Sequence, residues 1–233
     1  MGTATKMVKE CERSVWVSSA GAALQATLFL PEEAWGVVVF AHGMGSNRNS
    51  PRNRCIAQVL REAGLASLLM DLLTRDEMTV DDLSGHYRFD TPLLANRIAG
   101  TIDWIQHHEE ARKLRIGLFG AYTGAAAALM AATLRPDKVE AIVSRGGRPD
   151  LVSEILPQVH QPTLFIVGGE DQPIIEVNRK MIERLPAEKR LEIIPGATHL
   201  FEEPGGLELV AHLTKRWFEQ HLTRPVKVWS MNL

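Results

Sequence analysis

The sequence has only two cysteines, Cys11 and Cys55, in 233 residues. That excludes a disulfide framework and leaves no Cys-x-x-Cys pair for a structural zinc. No His or Cys pair has ligand spacing within a shared element, so neither a metal nor another cofactor is expected. Charge of one sign is not in excess either: the net charge of −2 gives no support to nucleic-acid or membrane-surface binding. No apolar run approaches the roughly 20 residues that span a bilayer. The opening stretch MGTATKMVKECERS has no hydrophobic region like that of a signal peptide. Its Met-Gly start matches a myristoylation motif only weakly, without a basic cluster behind it. A cytoplasmic location is the resulting expectation. Repeats, low-complexity segments and linkers are missing too, so the chain reads as one domain over 1–233 with a core from about 14 to 222.

What is present is alternation. An apolar fraction of 45% supplies a sizeable core. SVWVSS and LQATLFL flank a small-residue turn and predict an N-terminal hairpin. GVVVFAHG is a β-branched run suited to a strand buried on both faces. Ser50-Pro51 caps a helix whose apolar stripe ends at Gly64. LASLLMDLL predicts a strand, and Thr91-Pro92 opens the next helix. RIGLFG, VEAIVSRGG, TLFIVGG and RLEIIPG predict four further strands. Helices are expected at 123–134, 174–185 and 206–222, with a shorter helical segment near DLVSEILPQV. Strands alternating with helices imply a mostly parallel central sheet covered on both faces. The segment TRDEMTVDDLSGHYRFD has no strand or helix assignment and is a candidate flap over the site. The tail RPVKVWSMNL has no assignment either.

In an open parallel sheet, chemistry gathers in loops at the carboxyl ends of strands. One such loop is Gly120-Ala121-Tyr122-Thr123-Gly124, a strand–turn–helix junction of the Gly-x-Ser-x-Gly type with tyrosine in the serine position. Glu170-Asp171 follows a later strand, and Thr198-His199 follows the last. The order elbow, acid, histidine is that of an α/β-hydrolase triad. Asp171 is preferred to Glu170 as the acid, although either can be a plain helix cap.

The stretches VVVFAHGMGSNRNSPRN, GLFGAYTGAAAAL, IVSRGGRPDL, PTLFIVGGEDQPI and IPGATHLFEEPG together resemble the α/β-hydrolase superfamily. Within it they resemble the small dienelactone-hydrolase-like group that lacks a large cap domain. The resemblance implies Asp171 and His199 as acid and base, and Tyr122 at the nucleophile position. It also implies an oxyanion hole from the backbone N–H groups of Met44 and Thr123. It implies no cofactor, and a small ester, thioester or lactone as substrate. His42 reads as ordering the oxyanion loop at the substrate side. Arg48, Arg145 and Arg148 are candidate substrate-binding residues that could attract a carboxylate or phosphate, or could instead pair with Asp150 and Asp90. Ser46 reads as a turn residue and Ser50 as a helix cap, with rescue nucleophile as the alternative. His86, His107, His108, His160, His212 and His221 read as solvated or locally bonded.

Tyrosine changes the chemistry. Its oxygen lies at the far end of a rigid ring, not one carbon from the backbone beside the oxyanion donors, and phenolate is a good leaving group. Three functions remain open. One is an esterase-type enzyme impaired at position 122, natural or engineered. Another is a non-catalytic ligand-binding protein. The last is a divergent or designed site using Tyr122 and His199 as acid and base.

Overall fold

The computed structural model describes residues 11–222. Eight strands form one sheet in the order β1-β2-β4-β3-β5-β6-β7-β8. β1 (Cys11–Ser19) and β2 (Ala22–Leu30) make the expected hairpin, in register from Cys11–Leu30 to Ser19–Ala22. β2 also runs antiparallel to β4 (Leu65–Met70). β3 (Gly36–Ala41), β5 (Arg115–Ala121), β6 (Val139–Arg145), β7 (Thr163–Gly168) and β8 (Lys189–Ile194) are parallel to one another and to β4. The helices are α1 (Pro51–Glu62), α2 (Arg75–Ser84), α3 (Thr91–His107), α4 (Thr123–Leu134), α5 (Gln172–Ile182) and α6 (Gly206–His221).

The central strands are apolar throughout because both of their faces are covered. Along β3, Val37, Val39 and Ala41 join one buried cluster with α3 and α4, while Val38 and Phe40 join the other with α1 and α6. Such alternation is the period-two consequence of the strand's pleat. Close approach is built in where helices cross the sheet. At Gly117 a Cβ would lie 2.6 Å from Phe218 Cε1. α4 is buried nearly all round, and its run Ala125–Ala128 is fully buried, so small side chains let it lie deep between α3 and the sheet.

Two segments gain definition beyond the sequence reading. The stretch after Thr74, which has no assignment from sequence, forms α2, with a capping box in which Thr74 Oγ1 accepts from Glu77 N and Glu77 reaches back to Thr74 N. The Thr-x-x-Glu spacing carried that signal. The shorter helical segment expected near DLVSEILPQV is present as a 3₁₀ helix, Pro149–Gln158, with Pro157 inside it. The tail RPVKVWSMNL and residues 1–10 lie outside the described residues. No helix among the described residues is long and apolar enough to cross a membrane.

Sheet order fixes where a site can form. From β3 the chain moves to β4 on one side, then returns to β5 on the other. β3 and β5 stay paired to their carboxyl ends, but the connections leaving those ends head to opposite sides of the sheet, the arrangement that opens a crevice at a topological switch point.

Candidate active site

The turn between β5 and α4 occupies that crevice. Tyr122 has φ 50° and ψ −116°, a left-handed backbone that costs a bulky side chain on the order of 1–3 kcal/mol. The turn is tight because its glycines leave no room for anything larger. A Cβ at Gly120 would lie 2.3 Å from Ala125 Cα, and one at Gly124 would lie 2.4 Å from the carbonyl oxygens of Ala41 and His42. The β3 loop rides on the same turn, since a Cβ at Gly43 would lie 3.0 Å from Tyr122 Cβ. Thr123 begins α4, so its N–H has no carbonyl ahead of it within the helix. Met44 lies in the adjoining loop and is half exposed.

Asp171 and His199 arrive from the ends of β7 and β8. Asp171 stands at the N-cap position of α5 but makes no side-chain cap bond. Its Oδ2 instead accepts from His199 Nδ1 at 2.6 Å, which leaves the lone pair of Nε2 as the basic site. Glu170 is exposed, and its backbone N–H donates to Ala197 O at 3.0 Å. The His199 ring packs beside Gly146, where a Cβ would lie 3.0 Å from Cε1. It meets Tyr122 edge-on, with centroids 5.5 Å apart and planes at 88°.

The arginines divide. Arg148 grips Asp150 through Nε at 2.9 Å and Nη2 at 2.7 Å, and its Nη1 contacts the Tyr122 hydroxyl at 3.4 Å. The bond to Asp150 raises its already high pKa further. Arg48 is turned away from Tyr122: its guanidinium pairs with Asp71, in a separate groove beside Trp16. Of the three candidate arginines, Arg145 lines a cavity of about 340 Å³ together with Met44, Ser46, Tyr122 and His199. A further arginine, Arg52 of α1, lines the same cavity. Sequence reasoning missed it because an arginine in a helix's first turn resembles any solvated helical charge. Of the suggested carboxylate partners, Asp150 is used, whereas Asp90 caps α3 by accepting from Leu93 N at 3.0 Å.

His42 is buried and both ring nitrogens are engaged. Nδ1 donates to Gly43 O at 3.0 Å, and Nε2 accepts from Leu72 N at 3.0 Å. Burial lowers its pKa, which fits a neutral ring that ties the β3 loop to the end of β4 and leaves no nitrogen for a ligand. Ser50 caps α1 by accepting from Asn53 N at 3.4 Å, and Ser46 N donates to Gly43 O in a turn. α2 and the β3 loop wall a second cavity of about 290 Å³, which shares Met44 and Ser46 with the first. Among the described residues, no group of three or more His, Cys, Asp or Glu could hold a metal.

The sheet order and helices define an α/β-hydrolase fold. The family model for the dienelactone hydrolase family matches residues 24–222, and the chain belongs to that family. The crystal structure of a dienelactone hydrolase from Anabaena variabilis is 52% identical, with a TM-score of 0.90, over 92% of this chain and all of that one. A putative phosphoribosyl transferase of Mycobacterium tuberculosis strain H37Rv is 49% identical over 198 residues, 85% of this chain but 44% of that protein. The chain thus spans less than half the length of that curated relative. Est1E from Butyrivibrio proteoclasticus, at 17% identity and a TM-score of 0.75 over 89% of this chain and 98% of that one, shares the fold.

Proposed function

We propose that this chain is built for hydrolysis of small carboxylic esters, thioesters or lactones, and that Tyr122, at the nucleophile position, impairs it. The observation that carries the reading is the Asp171–His199 pair, 2.6 Å apart, presented edge-on to the residue in the β5–α4 turn. In such a site the histidine takes the nucleophile's proton while the carboxylate fixes its tautomer. The N–H groups of Met44 and Thr123 would hold the oxyanion, each such donor contributing about 2.7–4 kcal/mol to the transition state. A phenol oxygen at the end of a ring cannot sit at the point those donors address, so acyl transfer through it forgoes that stabilisation. The names dienelactone hydrolase and esterase on structural relatives agree with a small ester as substrate. Phosphoribosyl transfer is not assigned to this chain, because the relatives so described are more than half composed of sequence that it does not match.

A second reading has its own observation. The Tyr122 hydroxyl contacts Arg148 Nη1 at 3.4 Å, an arrangement that suits a ligand-binding wall or an acid–base tyrosine. Hydrolysis of p-nitrophenyl acetate by the chain, by Tyr122→Ser and by Tyr122→Ser with His199→Ala separates the two. The first reading expects Tyr122→Ser to raise kcat/KM by about a hundredfold or more, and His199→Ala to abolish the gain. A folded Tyr122→Ser protein as inert as the parent would overturn it in favour of the second.

A further inference from the structure

The cavity beside Tyr122 is lined by a buried cation that no carboxylate of the described residues pairs with. Arg145 ends β6 next to Ala121 of β5, with its side chain only 9% exposed. Among the described residues no carboxylate pairs with it, and its buried Nη1 has no hydrogen-bond partner. An ionised group removed from water is costly unless paired and hydrogen-bonded. The aromatic face of Phe119, 6.0 Å from the guanidinium carbon, offsets little of that cost. The nearby charge of Arg52 adds to it: burial first, then Arg52, pushes the guanidinium down to about 10.

Arg52 is itself incompletely held. Its Nη1 donates to Glu202 Oε1 at 2.7 Å, but that carboxylate is 60% exposed. Its Nε is buried without a partner among the described residues. Arg145 and Arg52 both line the 340 Å³ cavity, with Tyr122 and His199 also in its lining. Among the described residues the carboxylates near these two cations are Glu202, which is largely solvated, and Asp171, which is engaged with His199.

We propose that Arg145 and Arg52 bind a phosphate monoester group carried by the small molecule that occupies this cavity. Such a group carries about −1.5 to −2 charge at pH 7 and three acceptor oxygens. It can therefore answer both of the cations that line the cavity. A carboxylate brings one charge and balances only one of them. Forked guanidinium groups match phosphate geometry in two-point contacts. The proposal deepens the hydrolase reading by naming the substrate's second functional group. It rests on that reading only for the ester bond, not for the anion.

The test is calorimetric titration of the whole chain at pH 7 and constant ionic strength with inorganic phosphate, phenyl phosphate and acetate. The parent, Arg145→Met and Arg52→Gln are compared. One saturable site is expected for phosphate and for phenyl phosphate, with acetate about tenfold weaker or worse. Arg145→Met weakens phosphate by about 10–100-fold, the equivalent of one charged hydrogen-bond pair, and Arg52→Gln weakens it by about tenfold. Acetate binding as tightly as phosphate would overturn the phosphate assignment. Absence of saturation, or unchanged affinity in either variant, would overturn the site. Arg52 is partly exposed, so Arg52→Gln decides the matter if Arg145→Met does not fold. The titration reads binding rather than turnover, so an inert Tyr122→Ser would sink the hydrolase reading and leave this result standing.

Discussion

Arg97 and Arg145 are both buried arginines in this chain, 2% and 9% exposed, and their surroundings are opposite. Arg97, on α3, donates Nη1 to Leu72 O at 2.6 Å and to Glu77 Oε2 at 2.7 Å, and Nη2 to Glu77 Oε1 at 2.5 Å. Only its Nε is left without a partner among the described residues. The group thereby fastens α2 to α3 and to the end of β4, and its charge is answered within the fold. Arg145 has an aromatic face and a second cation. A buried charge that the fold answers is structural. One that the fold leaves unanswered, lining a cavity beside a candidate catalytic pair, suits a ligand that answers it.

The comparison can be pressed by breaking the answered charge. Glu77→Gln removes the carboxylate from Arg97 and leaves a buried cation behind. A loss of about 2–3 kcal/mol is expected, which lowers Tm by roughly 5–10 °C in a chain of this size. Acid should do the same without mutation. The hydrogen bond from Arg97, with smaller help from Thr74, holds the Glu77 carboxyl below its ordinary value. A lowered carboxyl value adds stability that is present above the ordinary glutamate pKa of about 4.3 and is lost as pH falls through the folded value. The Tm gap between parent and Glu77→Gln should therefore close on acidification; a gap that persists in acid would mean that the pair is not what separates them.

Arg145→Met should move stability the other way. Replacing an unanswered buried cation with an apolar side chain of similar reach is expected to raise stability by about 1 kcal/mol, read as a higher denaturant midpoint at unchanged m-value. The sign with pH is also opposite. A guanidinium lowered to about 10 costs stability wherever it is protonated, so the cost is present below that value and fades as pH rises through it. The advantage of Arg145→Met should shrink above about pH 10. A destabilised Arg145→Met would place Arg145 with Arg97 as a structural group. The smallest effect is expected from Arg52→Gln, within about 0.5 kcal/mol, because its ion pair with Glu202 is largely solvated.

Local sequence made the fold legible. β-branched runs such as GVVVFA and LFIVG mark strands covered on both faces, and Ser50-Pro51 and Thr91-Pro92 mark helix starts, because caps and pleats are set by near neighbours. α2 was missed because its apolar stripe is thin: Asp81 is its only buried residue, so its signal lay in the Thr74–Glu77 cap rather than in periodicity. The choice between Glu170 and Asp171 was legible only in part, since a carboxylate before a helix is equally a cap. The fold turns Asp171 to His199 because β8 ends beside β7 and brings the imidazole within 2.6 Å.

The sequence by itself determined the strand–helix alternation and the glycine clearance of the Tyr122 turn. It also determined which loops fall at the carboxyl edge of the sheet, because each follows from residue volume and local backbone preference. Tertiary structure alone decided which arginines keep an unanswered charge. Arg48 and Arg97 look no different from Arg145 in the chain, whereas Arg148 has Asp150 two residues on. The carboxylates that answer two of them, Asp71 for Arg48 and Glu77 for Arg97, lie 23 and 20 residues away along the chain. Long side chains find their partners across elements, and the packing of β6 against the β5–α4 turn put Arg145 where no carboxylate of the described residues reaches it.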